Sequence, residues 1–295
     1  MAQITLDEIN RMDRGGVVDA LGDVFEHAPW VAEVAYDARP FAGLSALYEA
    51  MTAAVRDADT ERQTALLRKH PDLAGKAARE GAITDDSKYE QSSAGLDRLS
   101  EQDYAAFHRL NDAYKAKFGF PFIVCVRRHG KDSILRQFEQ RLTNDIPEER
   151  RTALNEIFRI VALRLDKRVT AADRLKVHGR LTTHVLDTHR GQPASGVAIE
   201  LVEIDSGGMT RLILRARTNA DGRTDRPLIA EQPIPIAQYE LRFGVGGYFA
   251  EHGASTVDPP FLDVIPIRFA VAEPEAHYHV PLIVTPWSYS TYRGS

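Results

Sequence analysis

A chain of 295 residues exceeds one ordinary domain, and two domains are expected. Hydrophobic content of 43%, charged content of 27% and a net charge of −5 describe a globular chain with no electrostatic reason to bind nucleic acid. The single cysteine, Cys125, lies in the apolar run Phe122-Ile123-Val124-Cys125-Val126, where a buried thiol and a reducing compartment are expected. No apolar run reaches membrane-spanning length and the first residues lack a signal-peptide pattern, so the expected location is cytoplasmic.

Up to about residue 170 the apolar residues recur at helical spacing. Thr5 and Glu8 form a capping-box pattern, and Val17, Leu21 and Val24 mark a second helix that stops before Pro29. Leu44, Leu47, Met51 and Val55 mark a third. A second capping box, Thr60 to Gln63, opens a helix running through Leu66 and Leu67 to His70-Pro71. A longer helix begins at Ser100 and ends at Gly119, a fitting residue just past a helix end. Ile134, Leu135, Phe138 and Leu142 stripe the next, and Pro147 sits near the start of the last, with Leu154, Phe158, Val161 and Leu165 on one side. The pattern predicts an all-α helical bundle over residues 1–168. Between helices, the run Arg127-Arg128-His129-Gly130-Lys131 reads as a solvated turn.

Residues 167–174 (KRVTAADR) form a charged junction, and residues 169–175 are expected to be a linker. From there the period changes to two. Residues 197–202, 212–214, 239–243 and 264–269 are strand-like, with turns at Asp205-Ser206-Gly207-Gly208 and Asp221-Gly222. The run from His277 to Val284 reads as one strand, with His277 and His279 on the same face. An antiparallel sandwich or barrel over residues 176–295 is expected.

Three polar constellations interrupt the helical half: His70-Pro71-Asp72-Leu73, Ser87-Lys88-Tyr89-Glu90-Gln91 and Phe118-Gly119-Phe120-Pro121-Phe122-Ile123. Each alone has a structural explanation, as a helix end, a capping sequence or an apolar loop. Together and in this order they resemble the decarboxylases of 2-oxo-4-hydroxy-4-carboxy-5-ureidoimidazoline (OHCU), an all-α family. The resemblance implies that His70 is catalytic, with Glu90 as its partner. It further implies that Pro71, Ser87, Gln91, Phe122 and Ile123 bind substrate, and that Arg164 lies near a carboxylate, with Arg141 as the alternative.

The chain ends on HYHVPLIVTPWSYSTYRGS, and further motifs read Thr183-His184-Val185-Leu186-Asp187 and Thr218-Asn219-Ala220-Asp221-Gly222-Arg223. This set resembles the 5-hydroxyisourate hydrolases of the transthyretin-related family. It implies a transthyretin-like antiparallel β-sandwich, His184, Arg223 and His279 as catalytic residues, Tyr292 closing the pocket, and a homotetramer. Hydrolysis of a cyclic amide needs a base for water and donors for the oxyanion, which imidazole and guanidinium supply. Two other readings of the β half stand beside it: a zinc site built on His184, His277 and His279, and an apolar-ligand carrier. The combined reading is a cofactor-free, metal-free bifunctional enzyme whose partners are the small-molecule substrates 5-hydroxyisourate and OHCU. The alternative is a hydrolase whose helical half serves assembly or binding.

Overall fold

Short acceptor side chains set the helix starts. Thr5, Asp13, Asp59, Ser100 and Asp145 each accept a hydrogen bond from a main-chain N–H in the first turn that follows, and Thr5 with Glu8 completes a capping box. The cap expected at Thr60 is instead Asp59, whose carboxylate accepts from Arg62 N at 2.8 Å. In the computed structural model, residues 3–73, 86, 90, 96, 99–254 and 257–294 are described. The chain divides into two units, one comprising Met1–Arg127 with Ile134–Val177 and the other Arg128–Ser133 with His178–Ser295.

The first unit contains helices Leu6–Arg11, Arg14–Leu21, Trp30–Ala35, Leu44–Arg56, Thr60–Arg68, Glu101–Phe118 and Ile146–Arg168. The helix expected through Val24 stops at Leu21, and Val24 lies in the following turn. Helix Lys131–Arg141 begins in the segment assigned to the second unit. The first unit's core is aromatic: Phe122 and Phe138 stack at 3.6 Å between centroids, and Tyr114 meets Phe122 edge-on at 5.1 Å. Beside them the fully buried Glu149 takes both Nε and Nη2 of Arg141, at 2.9 and 2.6 Å, and accepts from Asn144 and the Tyr114 hydroxyl. The junction residues are structured as well. Val169–Thr170 (β2) pairs in parallel with Ile4–Thr5 (β1), and Asp173 accepts from the N–H groups of Leu44 and Ser45, capping that helix.

In the second unit, strands β6 (Ala198–Ile204), β7 (Thr210–Arg217), β9 (Gln238–Gly244) and β10 (Val264–Ala270) form an antiparallel sheet in the order β10-β9-β6-β7. Strand β3 (Gly179–Thr182) lies between β8 (Ile229–Gln232) and β11 (His277–His279). A further sheet runs β13-β12-β4-β5, from Tyr289–Ser290, Leu282–Val284, Val185–Asp187 and Gln192–Pro193. The run expected as one strand from His277 to Val284 is therefore two. Pro281, which has no N–H to donate, sits at the break, and β11 and β12 join different sheets. Helix Val245–Glu251 was not legible in sequence, because Gly246 and Gly247 are poor helix formers. Nor is the basic run a solvated turn. Arg128 forks onto Glu275 at 2.6 and 2.9 Å, and the buried His129 ring lies 2.8 Å from Ser133 Oγ.

Removing one partner of a buried ion pair leaves the other uncompensated. Glu149→Ala is expected to cost the helical unit about 3–5 kcal/mol, read as a lower urea midpoint, and the double variant with Arg141→Leu is expected to recover part of that. An unchanged midpoint in Glu149→Ala would contradict the pairing.

Candidate active sites

Helix Thr60–Arg68 ends because Pro71 follows, and its last carbonyls are taken up by the residues just beyond. His70 N–H donates to Leu67 O at 3.2 Å, and His70 Nδ1 lies 3.2 Å from Leu66 O. A carbonyl can only accept, so Nδ1 carries the proton and Nε2 of the neutral ring keeps its lone pair. Burial pushes the His70 pKa down to about 4, with Glu26 pulling it up and Arg164 adding to the depression.

The long helix Ile146–Arg168 brings Arg164 to the same place. Its Nε and Nη2 reach the two Glu90 oxygens, each at 2.9 Å. Nη1 donates to Val24 O at 3.3 Å, and Nη2 lies 3.5 Å from Glu26 Oε2. Burial raises the Glu90 pKa, opposed by Arg164. For Arg164 burial works against the charge, but Glu90 and Glu26 outweigh it and hold the pKa above its ordinary value.

These groups line a cavity of about 380 Å³ together with Pro71, Phe122 and Ile123. The extended segment carrying Phe122 and Ile123 is held from behind. Arg141 donates to Ile123 O at 2.8 Å and stacks 4.4 Å over the Phe122 ring, while Cys125 N–H donates to Glu156 at 2.8 Å. Arg164 thus faces the cavity, and Arg141 supports its wall. Glu90 shares the cavity with His70 and receives the Arg164 fork, and the Leu66 carbonyl holds the His70 ring. Ser87 and Gln91 lie outside the described residues.

Glu26 was missed in the sequence, although a signal was there. It follows Val24 and Phe25, both almost fully buried, and is itself 4% exposed. A carboxylate in such a run requires a partner. The next residue, His27, has φ +55°, an unfavourable conformation for a non-glycine residue, and its carbonyl accepts from Lys69 Nζ at 2.7 Å. That contact ties the Glu26 turn to the end of the His70 helix.

In the second unit a tight turn positions the pair His184 and Arg223. Asn219 Oδ1 accepts from the N–H groups of Asp221 and Arg223 at 3.0 and 3.2 Å, and Asn219 N–H donates to Arg223 O at 2.7 Å. Gly222 has φ +70°, and a Cβ there would sit 2.3 Å from Val185 O. Val185 N–H donates to Gly222 O at 2.8 Å, so His184 and Arg223 face one another as an antiparallel bridge. His184 Nε2 is buried without a hydrogen-bond partner.

His279 approaches from β11, paired with Thr182 of β3. Its Nδ1 is 2.9 Å from Thr182 Oγ1, which also lies 2.9 Å from His277 Nε2. The tail folds back along this strand. Thr291 Oγ1 donates to Pro281 O at 2.7 Å, Gly294 N–H donates to His279 O at 2.9 Å, and Arg293 lies 4.9 Å over the Tyr278 ring. A Cβ at Gly294 would sit 2.7 Å from the His279 ring, so glycine permits the contact. Tyr292 is exposed. Burial lowers the pKa of both His184 and His279, and Arg223 adds to each; His277 and His184 lower His279 further. Among the described residues, no group of three or more His, Cys, Asp and Glu side chains is disposed to hold a metal.

Residues 10–166 match the OHCU decarboxylase family, and residues 181–294 match the HIUase/Transthyretin family. A 2-oxo-4-hydroxy-4-carboxy-5-ureidoimidazoline decarboxylase of Haloferax volcanii is 44% identical over 171 residues, covering 58% of this chain and 99% of that protein. A 5-hydroxyisourate hydrolase of Halalkalibacterium halodurans is 53% identical over 117 residues, covering 40% of this chain and 98% of that protein. The crystal structure of an (S)-allantoin synthase is similar over 99% of this chain and 100% of its own, with 34% identity and a TM-score of 0.53. Two matches of this extent, one over each half, place the chain in both families: it belongs to the OHCU decarboxylases over its helical half and to the HIUase/transthyretin family over its β half.

Proposed function

We propose that the chain is a bifunctional enzyme of urate degradation that hydrolyses 5-hydroxyisourate to OHCU and decarboxylates OHCU to (S)-allantoin. The observation that carries this reading is the gathering, within each family match, of imidazole and guanidinium: His70 and Arg164 in one unit, His184, His279 and Arg223 in the other. The helical bundle spans residues 1–168 and the transthyretin-like β-sandwich residues 176–295, antiparallel throughout its sheet β10-β9-β6-β7 and with parallel pairs β3–β11 and β4–β12, with residues 169–175 between them. A cytoplasmic homotetramer formed through the β half completes the proposal.

In the β half, imidazoles kept neutral by burial take the proton of the attacking water, and His184 Nε2 has no competing bond. Arg223 stabilises the oxyanion, and Tyr292 closes over the substrate. In the helical half, loss of carbon dioxide leaves an electron pair that the ring's conjugated carbonyl and imine groups absorb without a cofactor. Arg164, fixed by Glu90, favours the substrate carboxylate, while Pro71, Ser87, Gln91, Phe122 and Ile123 orient the ring and its ureido group. Glu26 and the substrate carboxylate both raise the proton affinity of His70, so its Nε2 lone pair takes up a proton from water as substrate binds and then delivers it to one face of the carbanion.

His70→Ala is expected to slow OHCU consumption by about 10²-fold or more while 5-hydroxyisourate decay, followed by absorbance, is unchanged. Intact OHCU turnover would overturn the assignment. In the β half, Arg223 depresses the pKa of His184 and His279, so removing its charge must raise both. Arg223→Gln is therefore expected to move both imidazole titrations to higher pH by NMR and to lower kcat by about 10²–10³-fold. Titrations that stay in place would contradict the clustering of the three groups.

A further inference from the structure

The exposed His277 and the hydroxyl of Thr182 have no part in the chemistry described so far, yet they connect to it. Strand β11 runs parallel to β3, with His277 opposite Arg180 and His279 opposite Thr182. Both histidines point to the same face, and the Thr182 hydroxyl stands between their rings, 2.9 Å from His277 Nε2 and 2.9 Å from His279 Nδ1. The ring centroids are 6.4 Å apart, too far for a direct hydrogen bond and right for one bridging oxygen. A hydroxyl has one hydrogen and two lone pairs, so it donates to one ring nitrogen while accepting from the other. The chain starts at the partly buried His279 and ends at the exposed His277.

Resting on the hydrolase reading of the β half, we propose that Thr182 and His277 form a proton exit from His279 to solvent. Hydrolysis of a neutral cyclic amide adds hydroxide to the carbonyl carbon and the second hydrogen of the water to the leaving nitrogen. The carboxylic acid so formed is fully ionised at neutral pH, and each turnover leaves one proton to be exported. With His279 protonated on both nitrogens, Nδ1–H passes to Thr182 Oγ1 as the hydroxyl hydrogen passes to His277 Nε2. His277 then releases its Nδ1 proton to water. Imidazole, hydroxyl and imidazole are regenerated when the hydroxyl and rings reorient, and no charge accumulates in the site. Thr182 and His277 are positioning and relay groups that act through His279.

The test uses the full chain with 5-hydroxyisourate as substrate in weak and strong buffer. Thr182→Val and His277→Gln are expected to lower kcat about tenfold in weak buffer with KM unchanged, and millimolar imidazole is expected to restore the rate. Thr182→Ser, which keeps the hydroxyl, is expected to retain the wild-type rate. Wild-type kcat in weak buffer for both Thr182→Val and His277→Gln would overturn the relay, as would a loss that imidazole does not relieve. His279→Asn and the wild-type chain separate the two levels: a wild-type chain that does not hydrolyse 5-hydroxyisourate removes the hydrolase reading itself, full hydrolysis by His279→Asn removes His279 and with it the relay, and an inactive His279→Asn beside fully active Thr182→Val and His277→Gln removes the relay alone. Should Thr182→Val fail to fold, the exposed His277→Gln decides the matter by the same readouts.

Discussion

An imidazole drawn out of solvent, further in one half than in the other, stays neutral beside a guanidinium, and both halves of this chain are arranged around that constraint. Arginine does not give up its proton under physiological conditions, so histidine yields. His70 is held down first by burial and then by Arg164; His184 and His279 are held down first by burial and then by Arg223. The architectures that produce this state share nothing. In one, a helix end and a long helix meet at a cavity wall; in the other, a glycine turn and two short strands bring the groups together. The common product is a lone pair on imidazole next to a fixed positive charge. That combination suits substrates which develop anionic character as they react.

The arginines are themselves held in different ways. Arg164 is buried, and its charge persists because Glu90 and Glu26 offset the loss of water. Arg223 is exposed, and its backbone is placed by the Asn219 side chain within the turn and by the bridge to His184. A substitution at Glu90 would therefore act through charge, and one at Gly222 through backbone shape. The two reactions are also complementary in protons. Hydrolysis of the amide releases one as the acid ionises, and decarboxylation consumes one at the carbanion. Covalent tethering raises the local concentration of the second site for an unstable intermediate.

Much of this was legible because chemistry-bearing residues interrupt regular periodicity. His70-Pro71 ends a helix, Asp221-Gly222 demands a turn, and the tail places Gly294 where only glycine clears the His279 ring. What escaped the sequence was pairing at a distance. Nothing local says that Glu90 belongs to Arg164 or that Glu149 holds Arg141, since such partners are chosen by tertiary packing. Glu26 escaped because its turn reads as the apolar tail of a helix. The split of the last strand escaped because β-branched content survives on both sides of Pro281. Thr182 carries no signal in sequence, because a hydroxyl in a strand is ordinary and its meaning comes from the two ring nitrogens on either side of it.

The central claim is that one chain performs consecutive hydrolysis and stereospecific decarboxylation. The most direct measurement supplies freshly made 5-hydroxyisourate to the wild-type chain and follows the circular dichroism of the product as it forms. The account predicts rapid appearance of optically pure (S)-allantoin. Racemic allantoin, formed at the spontaneous rate after fast loss of 5-hydroxyisourate, would contradict it.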